Sequence, residues 1–205
     1  MRLSNIWTDT TFDHDAEVTG ITSDSRQVQP GMIFVAIKGT AHDGHDFIDQ
    51  AVNAGAAAIV ASAKHDTGTA ALIIRDNTRL ELSMVAAMLA GRQPGVIAAV
   101  TGTNGKTSVT DFLRQIWKHT GWRSASIGTL GVRGDGIEAV AELSHLTTPD
   151  PVSLHKNLNI LAGLGVSNIA IEASSHGIEQ DRLSGLKLVT AGFTNLSRDH
   201  LDHHG

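Results

Sequence analysis

The 205-residue sequence predicts an α/β chain of two units, and three observations carry that prediction. Short apolar runs alternate with helix-period segments along most of the chain. A turn signal, Gln93-Pro94-Gly95, separates a first unit at 1–92 from a second at 93–205. Directly after that signal, the apolar run Val96 to Val100 leads into T-G-T-N-G-K-T-S and then an amphipathic stretch, Val109 to Trp117. This is the order of a buried strand, a phosphate-cradling turn and a helix.

Residues 1 to about 20 are weakly patterned and support no more than a short lead-in helix or strand. Ile21 to Arg26 precedes the turn signal Pro30-Gly31, and Met32 to Ile37 follows as a compact apolar strand. A polar loop at 38–46 leads to a helix from Phe47 to Ala54, ended by Gly55. Strands are expected at Ala56 to Ala61 and Leu72 to Ile74, then a helix at Thr78 to Gly91. In the second unit the phosphate-loop helix runs to about His119, with a strand at Arg123 to Ile127 and a Gly-rich hairpin around Val132 to Leu143. A helix from Pro151 to Leu164 and strands at Asn168 to Ile171 and Val189 to Phe193 complete the reading. Parallel strands with helical crossovers are the economical arrangement, and their ligands lie beyond the strand carboxyl ends.

Composition excludes several classes. With 41% hydrophobic and 18% charged residues the chain can bury a core and is not disordered. A net charge of -5 without a basic run argues against a nucleic-acid binder. The absence of cysteine removes disulfides and Cys-ligated zinc. The N-terminus lacks a signal-peptide apolar region and no apolar run approaches the ~18 residues of a spanning helix, so a cytoplasmic protein without membrane contact is expected. The 11 histidines are irregularly spaced and read mostly as surface or loop residues.

The chemistry centres on Gly102, Thr103, Asn104, Gly105, Lys106, Thr107 and Ser108. Glycines let backbone N–H groups face phosphate oxygens, and a helix N-terminus adds about half a positive charge. Lys106 can neutralise outer phosphates and the Thr107 hydroxyl can ligate Mg²⁺. The general P-loop pattern wants a glycine where Val100 stands, so the string has a shorter form; its bland alternative is a Gly-rich turn with a surface lysine. Glu172 closes a strand and is either a Mg²⁺ ligand near the γ-phosphate or a solvated strand-end charge. Asp199 and His200, after the strand ending at Phe193, are either second-metal ligands or ordinary loop residues, and His203-His204 reads as solvated. Thr147 and Thr148, in L-T-T-P-D-P, either help Asp150 cap the helix that Pro151 begins, or bond a polar substrate.

The strings T-G-T-N-G-K-T-S, T-T-P-D-P, E-A-S-S-H-G-I-E-Q-D-R and F-T-N-L-S-R-D-H-L-D-H-H-G, in this order, resemble the MurE-type branch of the Mur ligases. T-S-D-S-R, P-G-M-I-F-V-A-I-K-G-T and D-G-H-D-F-I are similar to that family's uridine-binding domain. The resemblance implies a small N-terminal α/β domain at 1–92 that binds UDP-MurNAc, followed at 93–205 by the first, incomplete part of a P-loop-type parallel-sheet central domain. It implies that Lys106 holds ATP phosphates, that Thr107 and Glu172 serve one Mg²⁺, and that His200 serves a second. Lys106, Glu172 and His200 would be the catalytic set. Thr147, Thr148, Ser174, Gln180 and Arg182 would contact UDP-MurNAc-L-Ala-D-Glu, with Ser25 and the loop Gly39 to His42 around the uridine diphosphate. Arg182 also offers a fork of donors suited to carboxylate or phosphate.

The implied activity is ATP-dependent amide formation through an acyl phosphate, adding the third amino acid of the peptidoglycan stem, meso-diaminopimelate or L-lysine. Family enzymes are longer and carry a carbamoylated lysine and a C-terminal domain beyond the position of Gly205, and a full-length protein is expected to be a monomer. The expectation is therefore an N-terminal fragment, inactive by itself. Two alternatives stand beside it: another Mur-type ligase such as a folylpolyglutamate synthase, in which T-S-D-S-R and K-G-T are not expected, and a non-catalytic nucleotide or UDP-sugar binding module.

Overall fold

The computed structural model describes residues 1–137 and 146–197. They fall into two units, Met1–Leu89 and Ala90–Gly205.

The first unit holds α1 (Leu3–Ile6), β1 (Gly20–Thr22), β2 (Met32–Val35), α2 (Ile48–Asn53), β3 (Ala58–Ala61), β4 (Ala71–Ile74) and α3 (Thr78–Ala90). Its four strands pair in sequence order and all in parallel, with Ile21 opposite Ile33, Ile33 opposite Ala58, and Ala58 opposite Ala71. A parallel sheet covered on both faces needs continuous apolar runs rather than alternation. Ile33, Phe34 and Val35, and all four residues of β3, are buried accordingly. Ile48 and Ala51 of α2 pack on Phe34 and Ile59. The weakly patterned lead-in resolves as α1, which buries Leu3 and fastens Ser4 to Asp15 through both its N–H and its hydroxyl.

The second unit contains β5 (Val96–Thr101), α4 (Lys106–His119), β6 (Ser124–Gly128), β7 (Gly131–Arg133), α5 (Pro151–Gly163), β8 (Asn168–Glu172), α6 (Ser175–Glu179) and β9 (Thr190–Phe193). The sheet order is β7-β6-β8-β5-β9. Every pairing is parallel except β6 with β7. The hairpin therefore forms earlier than the sequence suggests: Val132 pairs back with Ile127 across a turn at Thr129 and Leu130, while the remainder of the expected hairpin, 138–143, lies outside the described residues. Gly131, at φ 75°, supplies the left-handed residue this turn requires.

Leu154, Leu158 and Leu161, spaced for one face of α5, pack fully buried on Ile97, Ile127, Ile169 and Ile171 of the sheet. Each such side chain contributes about 1.5–3 kcal/mol of transfer free energy. The start of α5 corrects one expectation. Asp150 alone caps it, accepting from the Ser153 N–H with Pro151 in the first turn, and the threonine hydroxyls before it bond elsewhere. Among the described histidines, His155 is the buried one, set in α5 with its Nε2 bonded to the Ser184 carbonyl at 3.0 Å.

β5 leads into α4, which crosses toward β6, whereas β8 leads away toward β9 on the other side of β5. Adjacent strands whose continuations diverge open a crevice at their carboxyl ends, where ligands of such sheets bind. Among the described residues no helix is long and apolar enough to cross a membrane.

Candidate active site

The expected phosphate loop spans the carboxyl end of β5 and the start of α4. Gly105 stands before α4 at φ 86° and Gly102 lies at φ 123°, both left-handed conformations that favour glycine. At Gly102 space adds a second demand, because a Cβ there would sit 2.2 Å from Thr194 Oγ1 and under 3 Å from the Asn195 backbone. The segment after β9 is strapped across the loop. Asn195 accepts from the Asn104 N–H at 3.1 Å and donates through Nδ2 to the Asn104 carbonyl at 3.0 Å. The Thr194 hydroxyl donates to the same carbonyl at 2.7 Å, and the Thr103 N–H donates to the Asn195 carbonyl. Lys106 Nζ donates to the carbonyls of Gly102 (2.7 Å) and Thr103 (3.0 Å), which holds the ammonium over the loop at the positive end of a 14-residue helix. Thr107 follows in the first turn, with Ser108 exposed beside it.

Glu172, opposite Val100 at the end of β8, is only 2% exposed. It is therefore not a solvated strand-end charge. Its Oε1 accepts from the Thr129 N–H at 3.0 Å and its Oε2 from the Thr129 hydroxyl at 3.1 Å. The carboxylate lies directly on Gly128, where a Cβ would come within 2.0 Å of Oε1. Among the described residues Glu172 has no cationic partner. A buried carboxylate without a counter-charge is costly, so its surroundings suit a bound cation. Among the described residues no three His, Cys, Asp or Glu side chains cluster, so a cation here would draw its other ligands from hydroxyl, water and phosphate oxygens, the set Mg²⁺ favours.

The other expected substrate residues join the same network. Thr147 Oγ1 lies 3.1 Å from Thr129 Oγ1. Thr148, almost fully buried, donates to the Glu172 carbonyl, accepts from the Ser174 N–H, and lies 3.0 Å from Ser174 Oγ. Ser174 caps α6 through the Gly177 N–H. Asp181, at φ 55° the one left-handed non-glycine residue among those described, turns the chain so that Arg182 reaches back. Its guanidinium donates to the Thr148 carbonyl at 2.8 Å and to Gln180 Oε1 at 2.7 Å. Thr147, Thr148, Glu172, Ser174, Gln180 and Arg182 thus form one bonded set, with Lys106 and Thr107 at the neighbouring strand end. Ser25 belongs to the first unit, where its hydroxyl donates to Gln50 Oε1 at 3.0 Å, and Gly39 closes its loop on the His42 carbonyl. Asp199, His200, His203 and His204 lie outside the described residues.

Thr129, Gly128, Gly177 and Asn195 carry no role in the sequence reading. A signal was available: Gly128 ends a strand of the same sheet, as Glu172 does, and Thr129 follows it. For Gly177 no local signal exists.

The region 100–205 matches the Mur ligase middle domain, and 17–94 matches the Mur ligase family catalytic domain. The chain belongs to the Mur ligase family. It is 50% identical over 196 residues to the UDP-N-acetylmuramoyl-L-alanyl-D-glutamate–2,6-diaminopimelate ligase of Mesorhizobium japonicum, a match covering 95% of this chain and 40% of that protein. It also resembles the solved structure of a UDP-N-acetylmuramoyl-L-alanyl-D-glutamate–2,6-diaminopimelate ligase, with TM-score 0.82 and 30% identity over 100% of this chain and 42% of the other. The MurF ligase of Thermotoga maritima in complex with ADP shares the fold at TM-score 0.58 and 22% identity, over 88% of this chain and 38% of its own. This Mur ligase chain spans about two-fifths of the length of the curated relatives it matches, 40% in the first case.

Proposed function

We propose that this chain provides the nucleotide-binding and UDP-substrate-binding parts of an ATP-dependent ligase that joins 2,6-diaminopimelate to UDP-MurNAc-L-Ala-D-Glu. The names of its relatives support this substrate pair and favour diaminopimelate over lysine. The observation that carries the reading is the buried Glu172 carboxylate, unpaired with any cation among the described residues and bonded through Thr129 to Thr147 at the edge of the phosphate loop.

Lys106, the loop N–H groups and the α4 terminus neutralise and orient the outer phosphates of ATP. Thr107 and Glu172 hold Mg²⁺, which when bound offsets phosphate charge, and His200 is assigned to a second ion. Thr147, Thr148, Ser174, Gln180 and Arg182 position the acyl acceptor, while Ser25 and the loop Gly39 to His42 hold the uridine diphosphate. A carboxylate oxygen of the substrate's D-Glu attacks the γ-phosphorus and ADP leaves, forming an acyl phosphate. The amine of the diamino acid then attacks the acyl carbon, phosphate departs, and the amine loses a proton. In-line phosphoryl transfer asks little covalent chemistry of a protein, so placement and charge neutralisation are the work these residues do. ATP and a UDP-linked precursor are cytoplasmic metabolites, which places the reaction there.

Calorimetric titration of the 205-residue chain with Mg²⁺ and a nonhydrolysable ATP analogue, and separately with UDP-MurNAc-L-Ala-D-Glu, tests the assignment. Saturable one-site binding of both is expected. Failure of the folded chain to bind the analogue would refute the phosphate-loop reading.

A further inference from the structure

We infer that Thr129 is a positioning residue that fixes the Glu172 carboxylate for its cation and ties it to the substrate-facing hydroxyl of Thr147. The inference rests on the reading of Glu172 as a Mg²⁺ ligand. Thr129 reaches both carboxylate oxygens at once, its N–H bonding Oε1 at 3.0 Å and its hydroxyl bonding Oε2 at 3.1 Å. A carboxylate gripped on both oxygens cannot rotate about its terminal torsion without losing a bond. Each oxygen keeps a lone-pair direction for a metal or a metal-bound water.

The hydroxyl hydrogen settles the direction of the chain of bonds. An ionised Glu172 only accepts, so Thr129 Oγ1 must donate to Oε2 and can engage Thr147 Oγ1, 3.1 Å away, only as acceptor. The Thr147 hydroxyl hydrogen therefore points at Thr129, leaving the Thr147 oxygen free to accept from a donor on the substrate. One threonine thus orients the group that holds the cation and sets the polarity of a group that meets the acyl acceptor. Gly128 completes the arrangement, because the carboxylate rests where its Cβ would be.

Thr129→Val keeps the N–H bond and the side-chain volume but removes the hydroxyl, and Thr129→Ser restores it. The measurement is the affinity of AMP-PNP for the 205-residue chain, by calorimetry, with and without Mg²⁺. Loss of a group that orients a metal ligand typically weakens metal affinity by about tenfold to a hundredfold. The expected result is a gain from Mg²⁺ that falls about tenfold in Thr129→Val, with Mg²⁺-free affinity unchanged and thermal melting lowered by the lost bond to the buried carboxylate, and both return in Thr129→Ser. Gly128→Ala, which displaces the carboxylate from the other side, should lose the same gain. A Thr129→Val protein that keeps the full Mg²⁺ gain while Glu172→Gln loses it would overturn the role of Thr129 and leave Glu172 as ligand. Glu172→Gln with an undiminished gain would overturn both.

Discussion

Replacing Gly177 with alanine should destabilise the second unit, against the ordinary preference of helices for alanine. Gly177 is buried in the middle of α6. In an open helix position, exchanging glycine for alanine gains about 0.5–1 kcal/mol. Here the new Cβ would lie 2.7 Å from both Cβ and Oγ1 of Thr148 and 2.8 Å from its Cγ2. Thr148 is β-branched and 1% exposed, so it cannot swing into solvent. Overpacking of this kind costs about 1–3 kcal/mol. Any shift of Thr148 also weakens its bonds to the Glu172 carbonyl and the Ser174 N–H, each worth about 1 kcal/mol. The crowding terms outweigh the helix preference, leaving a net loss of about 2–3 kcal/mol. Gly163 is the contrasting case: it ends α5 with nothing within 4 Å of its Cβ position, and Gly163→Ala should stabilise by up to about 1 kcal/mol. Urea unfolding read from Trp117 and Trp122, in a Trp7→Phe background confined to the first unit, reports on the right region. A midpoint lowered by about 1 M in Gly177→Ala, and raised slightly in Gly163→Ala, is expected. A Gly177→Ala protein as stable as wild type would show that Thr148 is not held where its bonds place it.

Three further outcomes test the site and its support. Lys106→Ala should weaken AMP-PNP binding about tenfold to a hundredfold, since a charged hydrogen bond is worth about 1.5–3 kcal/mol; an affinity within about twofold of wild type would remove the lysine from the phosphate site. Asn195→Ala deletes both side-chain bonds to Asn104 while leaving β5 intact, so hydrogen exchange at the Asn104 amide should accelerate about tenfold with the β5 amides unmoved. Burial holds the His155 imidazole below its ordinary pKa of 6.5, opposed by its bond to the Ser184 carbonyl. The unfolded chain then binds more protons than the folded one as pH falls, so the contribution is complete above 6.5 and is lost below it toward the folded value. His155→Gln should flatten the decline in urea midpoint between about pH 7.5 and 5.5, and parallel declines in the two proteins would contradict a neutral buried histidine.

The strand-to-helix turn proposed to hold phosphate was legible as a turn in the sequence because its parts are contiguous. Gly102 to Ser108 need only their own backbone geometry and the start of α4 to face an anion, and both follow from local residue types. The buried strands were legible for a related reason: uninterrupted runs such as Ile97 to Val100 have few places to go other than a sheet covered on both faces. The start of α5 at Pro151 was equally local, although local pattern could not say that Asp150 would cap it while Thr147 and Thr148 bonded elsewhere. What only the tertiary structure decided was the partner of each polar side chain. Glu172 reads alike as a strand-end charge or a metal ligand until β6 is placed beside β8. That pairing brings Gly128, and Thr129 43 residues away, under its carboxylate. Other tertiary placements made a loop threonine, Thr148, the occupant of the space left by Gly177, and packed His155 against the Ser184 carbonyl in the turn after Arg182. Periodicity reports which face of an element is buried; it carries no term for which strand lies next to it. Hydrogen bonds, which act over about 3 Å, depend on that neighbour.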